Sequence, residues 1–364
     1  MRNAAVTGWG KYLPPAILSN ADIATFLDTS DDWITTRTGI SERRVADCSL
    51  GDMAFYAAER ALACAGLEGS QIDLIVFGTC SFDDQVPNMA SGLQARIGAN
   101  GCAAMDVNTA CTSFLYGLST ATAMLRTGVA RNALVIGAEL ISPFMDWQDR
   151  DVAVLFGDGA AAVVLQATDR DEGLITERLG CYGDSREILR VHGMGGAYVN
   201  QHRHYGVTDW QFEGQEIFKK AVMGMGQACE DVLQAQHLSA AAVDLTIPHQ
   251  ANLRIIEAVA KRAGLSMDKV FVNVQRYGNM SSATVPVALC EALEQGRVQP
   301  GALLLMPAFG GGLTFCAHLL RWGDRIRPLG EPPAAPPYGG RSALELVRGY
   351  LDAKPRDVTR LSPE

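Results

Sequence analysis

Two segments of the chain repeat the same order of secondary structure elements, and this repeat constrains the fold more than any single motif. In the first half, the sequence predicts an Ala-rich amphipathic helix that begins near Met53, followed by a strand over 72–77. In the second half, it predicts a helix that ends near Ala235, followed by a strand over 243–247. Each half then ends on a glycine-rich turn, FGDG in the first and FGGG in the second. The repeat predicts two similar halves rather than two unrelated domains.

Continuously apolar strands indicate sheets that are covered on both faces. The segments 133–137 (ALVIG) and 302–306 (ALLLM) contain no charged or amide side chain, which is typical of strands between two layers of helices. Helices alternate with strands along nearly the whole chain. The sequence therefore predicts an α/β fold in which both halves are mixed, mostly parallel sheets wrapped by helices.

The composition shifts along the chain suggest where these halves begin and end. The charged stretch 168–172 follows the first glycine turn and is the expected boundary between the halves. Residues 184–212 are predicted to be a long irregular insertion, of the kind that often covers a functional site. After a Pro-rich linker, a short amphipathic helix is predicted from Ser342 to Ala353. The expected divisions are residues 1–170, 171–325 and 326–364.

The charge balance excludes several classes of protein. The chain has 364 residues, with 31 Lys and Arg against 40 Asp and Glu, and a net charge of -9. Because nucleic-acid binding needs a surplus of basic side chains, we expect no nucleic-acid partner. No apolar run reaches the roughly 18 residues that span a bilayer, and the start, MRNAAVTGW, is typical of a strand rather than a signal peptide. We therefore expect a cytoplasmic protein with no membrane partner.

One of the nine cysteines has a setting that favours chemistry. The count is odd and no CxxC pair is present, which fits reduced thiols better than disulfides or a zinc site. Cys111 lies between a strand predicted over 105–110 and a helix predicted over 112–126. At a helix N-terminus, unpaired N–H groups and the helix dipole favour the thiolate, which is the nucleophilic form. Taken alone, Cys111 is also compatible with a small buried core residue.

His249 and Asn279 lie at two other predicted element boundaries. His249 comes directly after the strand predicted over 243–247, at the edge where parallel strands present ligand-binding groups. Asn279 lies in YGNMSSA, just before a predicted helix start. Each is also compatible with a structural role, the histidine as a hydrogen-bonding residue and the asparagine as a turn residue or helix cap. Together with Cys111, they allow separate segments to converge on one pocket.

Several short motifs occur in the order that is found in a known family. They are TSDDWI at 29–34, RTGI at 37–40, AC at 110–111, FGDGA at 156–160, PHQANLR at 248–254, GN at 278–279 and FGGG at 309–312. On these motifs the sequence resembles the thiolase-like condensing enzymes, and specifically the β-ketoacyl-acyl-carrier-protein synthase III family, over residues 4–321. The resemblance implies a thiolase-like fold, in which two pseudo-duplicated halves form a layered α-β-α-β-α sandwich.

The resemblance also implies an acyltransferase reaction, a decarboxylative Claisen condensation that begins fatty-acid synthesis. By similarity, Cys111 attacks an acyl-CoA thioester, and the backbone N–H groups of Cys111 and Gly311 form the oxyanion hole. His249 and Asn279 then hydrogen-bond the thioester carbonyl of malonyl-acyl carrier protein (malonyl-ACP). They stabilise the enolate that forms as carbon dioxide leaves, and the product is 3-oxoacyl-ACP. The family requires no metal and no organic cofactor.

Further positions match the family's contacts to its substrates and partners. The resemblance implies CoA contacts at Trp33, Arg37, Arg150 and Asn252, and docking of the acidic acyl carrier protein at Lys219, Arg254 and Lys261. An indole ring and a guanidinium plane can sandwich an adenine base. A local basic patch on an otherwise acidic chain can steer an acidic partner. Family members are homodimers, so we expect a homodimer here.

The acyl pocket is where the sequence departs from the family. Val86 stands where acetyl-selective members carry a bulky aromatic residue, on a loop that closes the pocket of the other subunit. The starter is therefore expected to be a medium-chain or branched acyl group, unless Phe156 and Trp210 refill the space. The preferred acyl chain length stays open. It also stays open whether the malonyl group is carried by ACP or by CoA. Two other functions remain as alternatives, a synthase III-like acyltransferase of a specialised pathway and a catalytically silent partner subunit.

Overall fold

Two sheets form the framework of the molecule. The computed structural model describes residues 3–199, 208–331, 333 and 339–353. The strands are β1 (Asn3–Tyr12), β2 (Ile17–Ser19), β3 (Glu42–Arg44), β4 (Leu74–Gly78), β5 (Ala103–Val107), β6 (Asn132–Glu139), β7 (Gly159–Thr168), β8 (Gly173–Cys181), β9 (Leu189–His192), β10 (Asp209–Phe212), β11 (Leu245–Thr246), β12 (Leu303–Gly310) and β13 (Thr314–Arg321). The order in the first sheet is β1-β7-β6-β4-β5, and in the second it is β11-β12-β13-β8. Two short pairs, β2 with β3 and β9 with β10, lie outside these sheets.

The helices surround and separate the two sheets. They are α1 (Asn20–Ile23), α2 (Asp31–Thr38), α3 (Leu50–Ala65), α4 (Met89–Arg96), α5 (Ser113–Arg126), α6 (Arg150–Ala153), α7 (Gly214–Ala235), α8 (Leu253–Arg262), α9 (Val274–Tyr277), α10 (Thr284–Glu294) and α11 (Ala343–Ala353). Among the described residues, no helix is both long enough and apolar enough to cross a membrane.

Three hydrophobic clusters define five layers. The central cluster joins α5 and α10 to inward side chains of both sheets, for example Val76 of β4 and Leu304 of β12. A second cluster packs α3 and α4 against the other face of the first sheet, for example against Phe77. A third packs α7 and α8 against the outer face of the second sheet. Because successive strand residues point to opposite faces, each strand supplies two clusters. One layer of helices lies between the two sheets, and another covers the outer face of each sheet. This layering confirms the predicted α-β-α-β-α sandwich.

The prediction of mostly parallel sheets is wrong. In the first sheet β4 is parallel to β5 and β6, but β7 is antiparallel to both β1 and β6. In the second sheet only β11 and β12 are parallel. Antiparallel strands that are buried on both faces have the same continuous apolar sequence as parallel ones, so composition does not reveal their direction.

The sheets follow the order of the chain. The strands of the first sheet lie between residues 3 and 168, and those of the second between residues 173 and 321. The stretch 184–212, predicted to be irregular, contains the antiparallel pair β9 and β10, and its residues 200–207 lie outside the described residues.

The C-terminal segment packs back onto the body of the protein. Helix α11 buries Ala343, Leu346 and Val347 in the third cluster. Before it, Arg341 forms an ion pair with Asp47. The Pro-rich linker predicted before this helix falls partly outside the described residues, at 332 and 334–338, as do residues 354–364.

Candidate active site

Cys111 lies in a tight turn that connects the first sheet to the central helix. Strand β5 ends at Val107, three residues earlier than predicted, and a single 3-10 turn over Ala110–Thr112 leads into α5. Ala110 has a φ of 50°, the left-handed region that residues with a Cβ seldom adopt. Ser113 secures the turn, because its hydroxyl accepts a hydrogen bond from Thr109 N at 2.9 Å and donates one to Ala110 O at 2.7 Å. The thiol is thereby fixed at the N-terminus of α5.

Burial opposes the effect that the helix N-terminus has on the Cys111 thiol. Burial raises the pKa of Cys111 to about 12, the nearby Ser281 hydroxyl opposes this, and the Glu139 carboxylate adds to it. Since the charged form loses hydration when it is enclosed, the neutral thiol is the stable form at neutral pH. The proton must leave before or during nucleophilic attack.

The end of β12 lies directly against the backbone of Cys111. A Cβ atom on Gly310 would come within 2.7 Å of Cys111 N and 3.1 Å of Thr109 O. Only glycine permits this approach. Gly311, the residue predicted in the oxyanion hole, follows and packs near Ala110, where a Cβ would meet the Ala110 side chain at 3.4 Å. Gly310 borders the cavity described below, and Gly311 is not among the residues that border it.

His249 is held beside the same strand. Strand β11 itself is short, but its pairing with β12 continues beyond it, since Ile247 N donates to Leu305 O at 2.8 Å and His249 N donates to Pro307 O at 2.8 Å. The ring is buried, and its Nδ1 lies 2.6 Å from the Thr284 hydroxyl oxygen. Burial lowers the pKa of His249 to about 3. The imidazole is therefore neutral at physiological pH.

Asn279 is positioned by the end of the first half of the chain. Its backbone N donates to Leu155 O at 2.8 Å, and its carbonyl accepts from Gly157 N at 3.1 Å. The side-chain Oδ1 accepts a hydrogen bond from Ser281 N at 2.8 Å. This bond turns the amide oxygen toward the backbone. The NH2 group is consequently the part of the amide that is available to the cavity.

The three residues border one cavity of about 850 Å³. Six other residues predicted from the sequence also line the cavity: Trp33, Arg37, Asn252, Phe156, Lys219 and Arg254. The remaining predicted positions, Gly311, Arg150, Val86, Trp210 and Lys261, are not among its lining residues. Segments from both halves of the chain thus converge on a single site.

At one side of the cavity, two guanidinium groups lie over the same indole ring. Arg37 and Arg150 have their Cζ atoms 4.3 Å and 4.5 Å from the centroid of Trp33. Asn252 connects this region to α8, because its Oδ1 accepts from Arg254 N at 2.8 Å and its Nδ2 donates to Arg37 O at 3.1 Å. Arg150 therefore contacts a residue of the cavity wall, Trp33, although it does not itself border the cavity.

The residues predicted to form the acyl pocket have different positions. Phe156 borders the cavity and packs against Trp210 at 5.1 Å between ring centroids. The Trp210 Nε1 donates to Phe144 O at 2.8 Å, which fixes the indole ring against which Phe156 packs. Val86 is 83% exposed, in the loop before α4, and does not contribute to the cavity of its own chain.

The basic residues form a sparse group near the cavity. Lys219 of α7 and Arg254 of α8 border it, and Lys261 is exposed in the last turn of α8. Lys219 is paired with Glu216 at 2.7 Å, and both side chains are largely exposed. Exposed pairs of this kind are weak, so the Lys219 ammonium can exchange its partner.

Three residues beside the site were not found by sequence analysis. Thr284 contacts the His249 ring, Ser281 contacts Asn279, and Glu139 contacts Ser281. Ser281 and Thr284 occur in the stretch after Asn279 that resembles ordinary helix-start chemistry. Glu139 ends an apolar strand, where an acidic residue is usually solvated. No local signal distinguished any of the three.

The fold and the site place this chain among the thiolase-like condensing enzymes. The model of the family described as 3-oxoacyl-[acyl-carrier-protein (ACP)] synthase III matches residues 105–183, and that of its C-terminal part matches residues 233–322. The chain is 52% identical over 349 residues to beta-ketoacyl-[acyl-carrier-protein] synthase III 2 of Vibrio cholerae, covering 96% of both chains. The chain belongs to the 3-oxoacyl-[acyl-carrier-protein] synthase III family, and it is an acyltransferase-type condensing enzyme.

Solved structures agree with this assignment. The synthase III of Aquifex aeolicus is 42% identical, covers 88% of this chain and 100% of its own, and has a TM-score of 0.82. A priming beta-ketosynthase from the R1128 polyketide pathway is similar in fold, with a TM-score of 0.84, but only 32% identical, covering 91% of this chain and 98% of its own. Because the more similar relatives are synthase III enzymes, the comparisons confirm the synthase III prediction and do not favour the specialised-pathway alternative.

Proposed function

We propose that Cys111, His249 and Asn279 catalyse the condensation of an acyl-CoA starter with malonyl-ACP, giving 3-oxoacyl-ACP, CoA and carbon dioxide. One observation supports this most directly, the convergence of all three side chains on one cavity. A nucleophilic thiol and two neutral hydrogen-bond donors are the groups that this reaction needs, because negative charge develops on a thioester oxygen in both half-reactions.

In the first half-reaction, Cys111 attacks the acyl-CoA thioester and retains the acyl group. The tetrahedral oxyanion is stabilised by backbone N–H groups of Cys111 and Gly311. The contact between Gly310 and the Cys111 backbone supports this role, since it brings the end of β12 next to the nucleophile. Backbone donors fixed in this way do not have to reorganise during the reaction.

In the second half-reaction, His249 and Asn279 bind the carbonyl oxygen of malonyl-ACP while carbon dioxide leaves. His249 suits this role because its depressed pKa keeps it neutral, so it donates a hydrogen bond without being consumed as an acid. For this the ring must carry its proton on Nε2, with Nδ1 accepting from Thr284. The Thr284 hydroxyl lies 2.6 Å from Nδ1 and 3.0 Å from Ser281 O and has one proton, so in this state it donates to Nδ1 rather than to Ser281 O. Asn279 contributes the amide NH2 that its bond from Ser281 leaves available.

CoA is proposed to enter beside Trp33. The adenine would insert between the indole and the Arg150 guanidinium, and Arg37 and Asn252 would hold the rest of the nucleotide. The present stacking of Arg150 on Trp33 supports the idea, because a planar base can take the place of one of two stacked groups.

The carrier protein is proposed to dock on Lys219, Arg254 and Lys261. Two of the three border the cavity, so a carrier bound there would be close to the opening. We further propose a cytoplasmic homodimer in which Val86 closes the pocket of the partner subunit. Its exposure in the single chain leaves it free for such a contact. A valine in place of an aromatic ring leaves space for several methylenes, each contributing about 0.8 kcal/mol when buried, which favours a medium-chain or branched starter.

Intact-protein mass spectrometry tests the proposal. Wild type, Cys111→Ala and Cys181→Ser are incubated with acetyl-, branched, hexanoyl-, octanoyl- and longer acyl-CoA, and the acylated enzyme is then chased with malonyl-ACP or malonyl-CoA. Cys181 is an exposed thiol, so its variant controls for nonspecific acylation. We expect acyl mass on wild type and Cys181→Ser only, and its release as a 3-oxoacyl product. Acylation that malonyl-ACP and malonyl-CoA cannot discharge would indicate another acceptor, and no acylation by any CoA thioester would refute the proposal.

A further inference from the structure

Gln250 is a fully buried amide next to His249, and the proposed mechanism gives it no role. It lies in the PHQANLR motif, directly after the histidine. It is not among the residues that line the cavity, so it does not face the substrate. Glutamine is mostly exposed in proteins, and a buried amide is costly unless its polar atoms are hydrogen-bonded. The bonds that hold it inside therefore show what it does.

All four hydrogen-bonding positions of this amide are occupied, and each partner is a backbone atom. The Gln250 Nε2 donates to Pro248 O at 2.8 Å and to Phe271 O at 3.0 Å. The Oε1 accepts from Asn273 N at 3.0 Å and from Val274 N at 3.2 Å. An amide turned the other way would place like groups against each other at all four contacts. The side chain is therefore held in one orientation.

These bonds join the two segments of chain that carry the proposed catalytic donors. One segment, 248–250, contains His249, and the other, 271–274, leads into α9 and from there to Asn279. The backbones of the two segments meet just before the site, where Phe271 N donates to Thr246 O at 2.8 Å. The Gln250 amide continues this connection on the side of His249. It acts as an additional peptide group between two backbones.

The link from the start of α9 to Asn279 is short and stiff. Gly278 N donates to Val274 O at 2.9 Å, which closes the single turn of α9. Gly278 has a φ of 62°, and a Cβ at this position would lie 2.7 Å from Leu155 O. Asn279 is the next residue. Because the turn is closed and tightly packed, a displacement of its start at Val274 is passed on to Asn279.

The same segment is held on its other side by a carboxylate. Glu291 of α10 accepts hydrogen bonds from Asn273 Nδ2 at 3.0 Å, Arg276 Nη2 at 2.6 Å and Tyr277 Oη at 2.6 Å. Glu291 is itself buried. Helix α9 thus lies between two sets of polar contacts, and the set made by Gln250 is the one that leads to the histidine.

We propose that Gln250 is a positioning residue that sets the distance between His249 and Asn279, so that both can donate to one thioester carbonyl oxygen. The inference rests on the proposed function, because it takes these two residues as the donors. Both must lie about 2.7 to 3.1 Å from the same oxygen, and such a pair tolerates errors of only about 0.5 Å. The four bonds of Gln250 stay within residues 248–274. The turn that carries Cys111 therefore does not depend on them.

Separate measurement of the two half-reactions tests this role. Gln250→Met keeps a similar volume and removes all four hydrogen bonds. Acylation by acyl-CoA is followed in single turnovers by mass spectrometry, and the isolated acyl-enzyme is then discharged with increasing malonyl-ACP. We expect acylation at the wild-type rate and a maximal discharge rate about 100-fold lower, as for a donor misplaced by about 1 Å. The KM for malonyl-ACP should stay unchanged, because the donors act mainly in the transition state.

Gln250→Glu is a milder variant with nearly the same shape. It keeps an acceptor for Asn273 N and Val274 N, and its carboxyl group regains one donor when it is protonated. Since burial raises the pKa of a carboxyl group, protonation should increase as the pH falls from 9 to 6. The deficit in discharge, taken against wild type at the same pH, should therefore be smaller at pH 6. This comparison removes the titration of His249 and Glu291, which face the same segment in both proteins.

Ser119→Ala controls for a general loss of stability. The Ser119 hydroxyl is buried and lies 2.8 Å from His318 Nε2, so its removal also leaves a buried polar group without a partner. This variant should lower the melting temperature and leave both half-reactions at wild-type rates. If Gln250→Met slows acylation and discharge equally, or leaves discharge unchanged, the positioning role is wrong.

A double variant tests whether Gln250 acts through the pair of donors. In an Asn279→Ala background the spacing to His249 no longer matters, so adding Gln250→Met should slow discharge little further. Losses that multiply would overturn the inference. If Gln250→Met does not fold, Gln250→Glu decides the question, and equal deficits at pH 6 and pH 9 would overturn it. A wild type that no acyl-CoA acylates, or that malonyl-ACP cannot discharge, would instead refute the proposed function.

Discussion

Gly310→Ala tests whether the contact between β12 and the nucleophile turn sets the geometry of the site. The added Cβ would lie 2.7 Å from Cys111 N, 3.1 Å from Thr109 O and 3.2 Å from Thr112 N. All three are backbone atoms, so no side chain can rotate away to make room. The strand and the turn must separate instead.

The size of this displacement follows from the distances. Carbon contacts are comfortable at about 3.5 Å, so relieving an approach of 2.7 Å requires a shift of about 0.8 Å. A misplacement of about 1 Å can slow an enzymatic step roughly 100-fold. Overpacking of this kind also costs about 1 to 3 kcal/mol of stability. We therefore expect acylation of Cys111 to slow by about 30- to 100-fold.

Single-turnover acylation and thermal unfolding together measure both effects. Gly92→Ala is the matched control, since nothing lies within 4 Å of its added Cβ and it lies within α4. Alanine in a helix interior should stabilise the protein by about 0.5 to 1 kcal/mol and leave the acylation rate unchanged. If Gly310→Ala acylates at the wild-type rate, the close approach does not position the nucleophile and the argument is wrong.

Two other variants test the rest of the site, and a change of pH tests two buried histidines. Thr284→Val removes the hydroxyl at His249 Nδ1 and should slow condensation about tenfold or more, since an unsatisfied buried group costs about 1 to 3 kcal/mol; an equal loss in acylation would contradict this, and Thr284→Ser should retain activity. Trp33→Ala should raise the KM for acyl-CoA about tenfold with little change in kcat, as expected for losing one stacked base; steady-state kinetics with an unchanged KM would rule out stacking. Burial lowers the pKa of both His249 and His318 to about 3, so the unfolded chain binds more protons below pH 6.5. Stability should be full above pH 6.5 and decline toward pH 3, and a melting temperature that is flat between pH 7 and 4 would show that these rings are not buried as neutral groups.

The sequence was sufficient to find the residues at the ends of strands. Cys111 and His249 each follow a predicted strand, although their strands, β5 and β11, belong to different sheets. The structure places both on the cavity. The repeat of helix and strand likewise led to the layered fold, because each amphipathic element must bury its apolar face.

Neither the direction of the strands nor the burial of polar groups could be predicted from the sequence. Strands β12 and β13 are antiparallel around a turn at residues 311–313, yet their apolar sequences would also suit parallel strands. Glu139 has the sequence context of a solvated strand end, and only the packing of β4 and the Ser281 turn around it encloses the carboxylate. Such enclosure depends on contacts between residues 58 to 142 positions apart, which no local pattern records.

The division of the site between the two halves of the chain explains why its supporting bonds cross from one half to the other. The nucleophile lies in the turn before α5 in the first half, whereas His249 and Asn279 belong to the second. If each half positioned only its own residues, a small shift between the halves would separate the thiol from its partners. The bond from Ser281 of the second half to Glu139 of the first prevents this, and so does the contact of Gly310 with Cys111. A shift of that kind should impair acylation and condensation together, while loss of Thr284 alone should affect only condensation. Measuring the two half-reactions separately therefore distinguishes a displaced half from a displaced side chain.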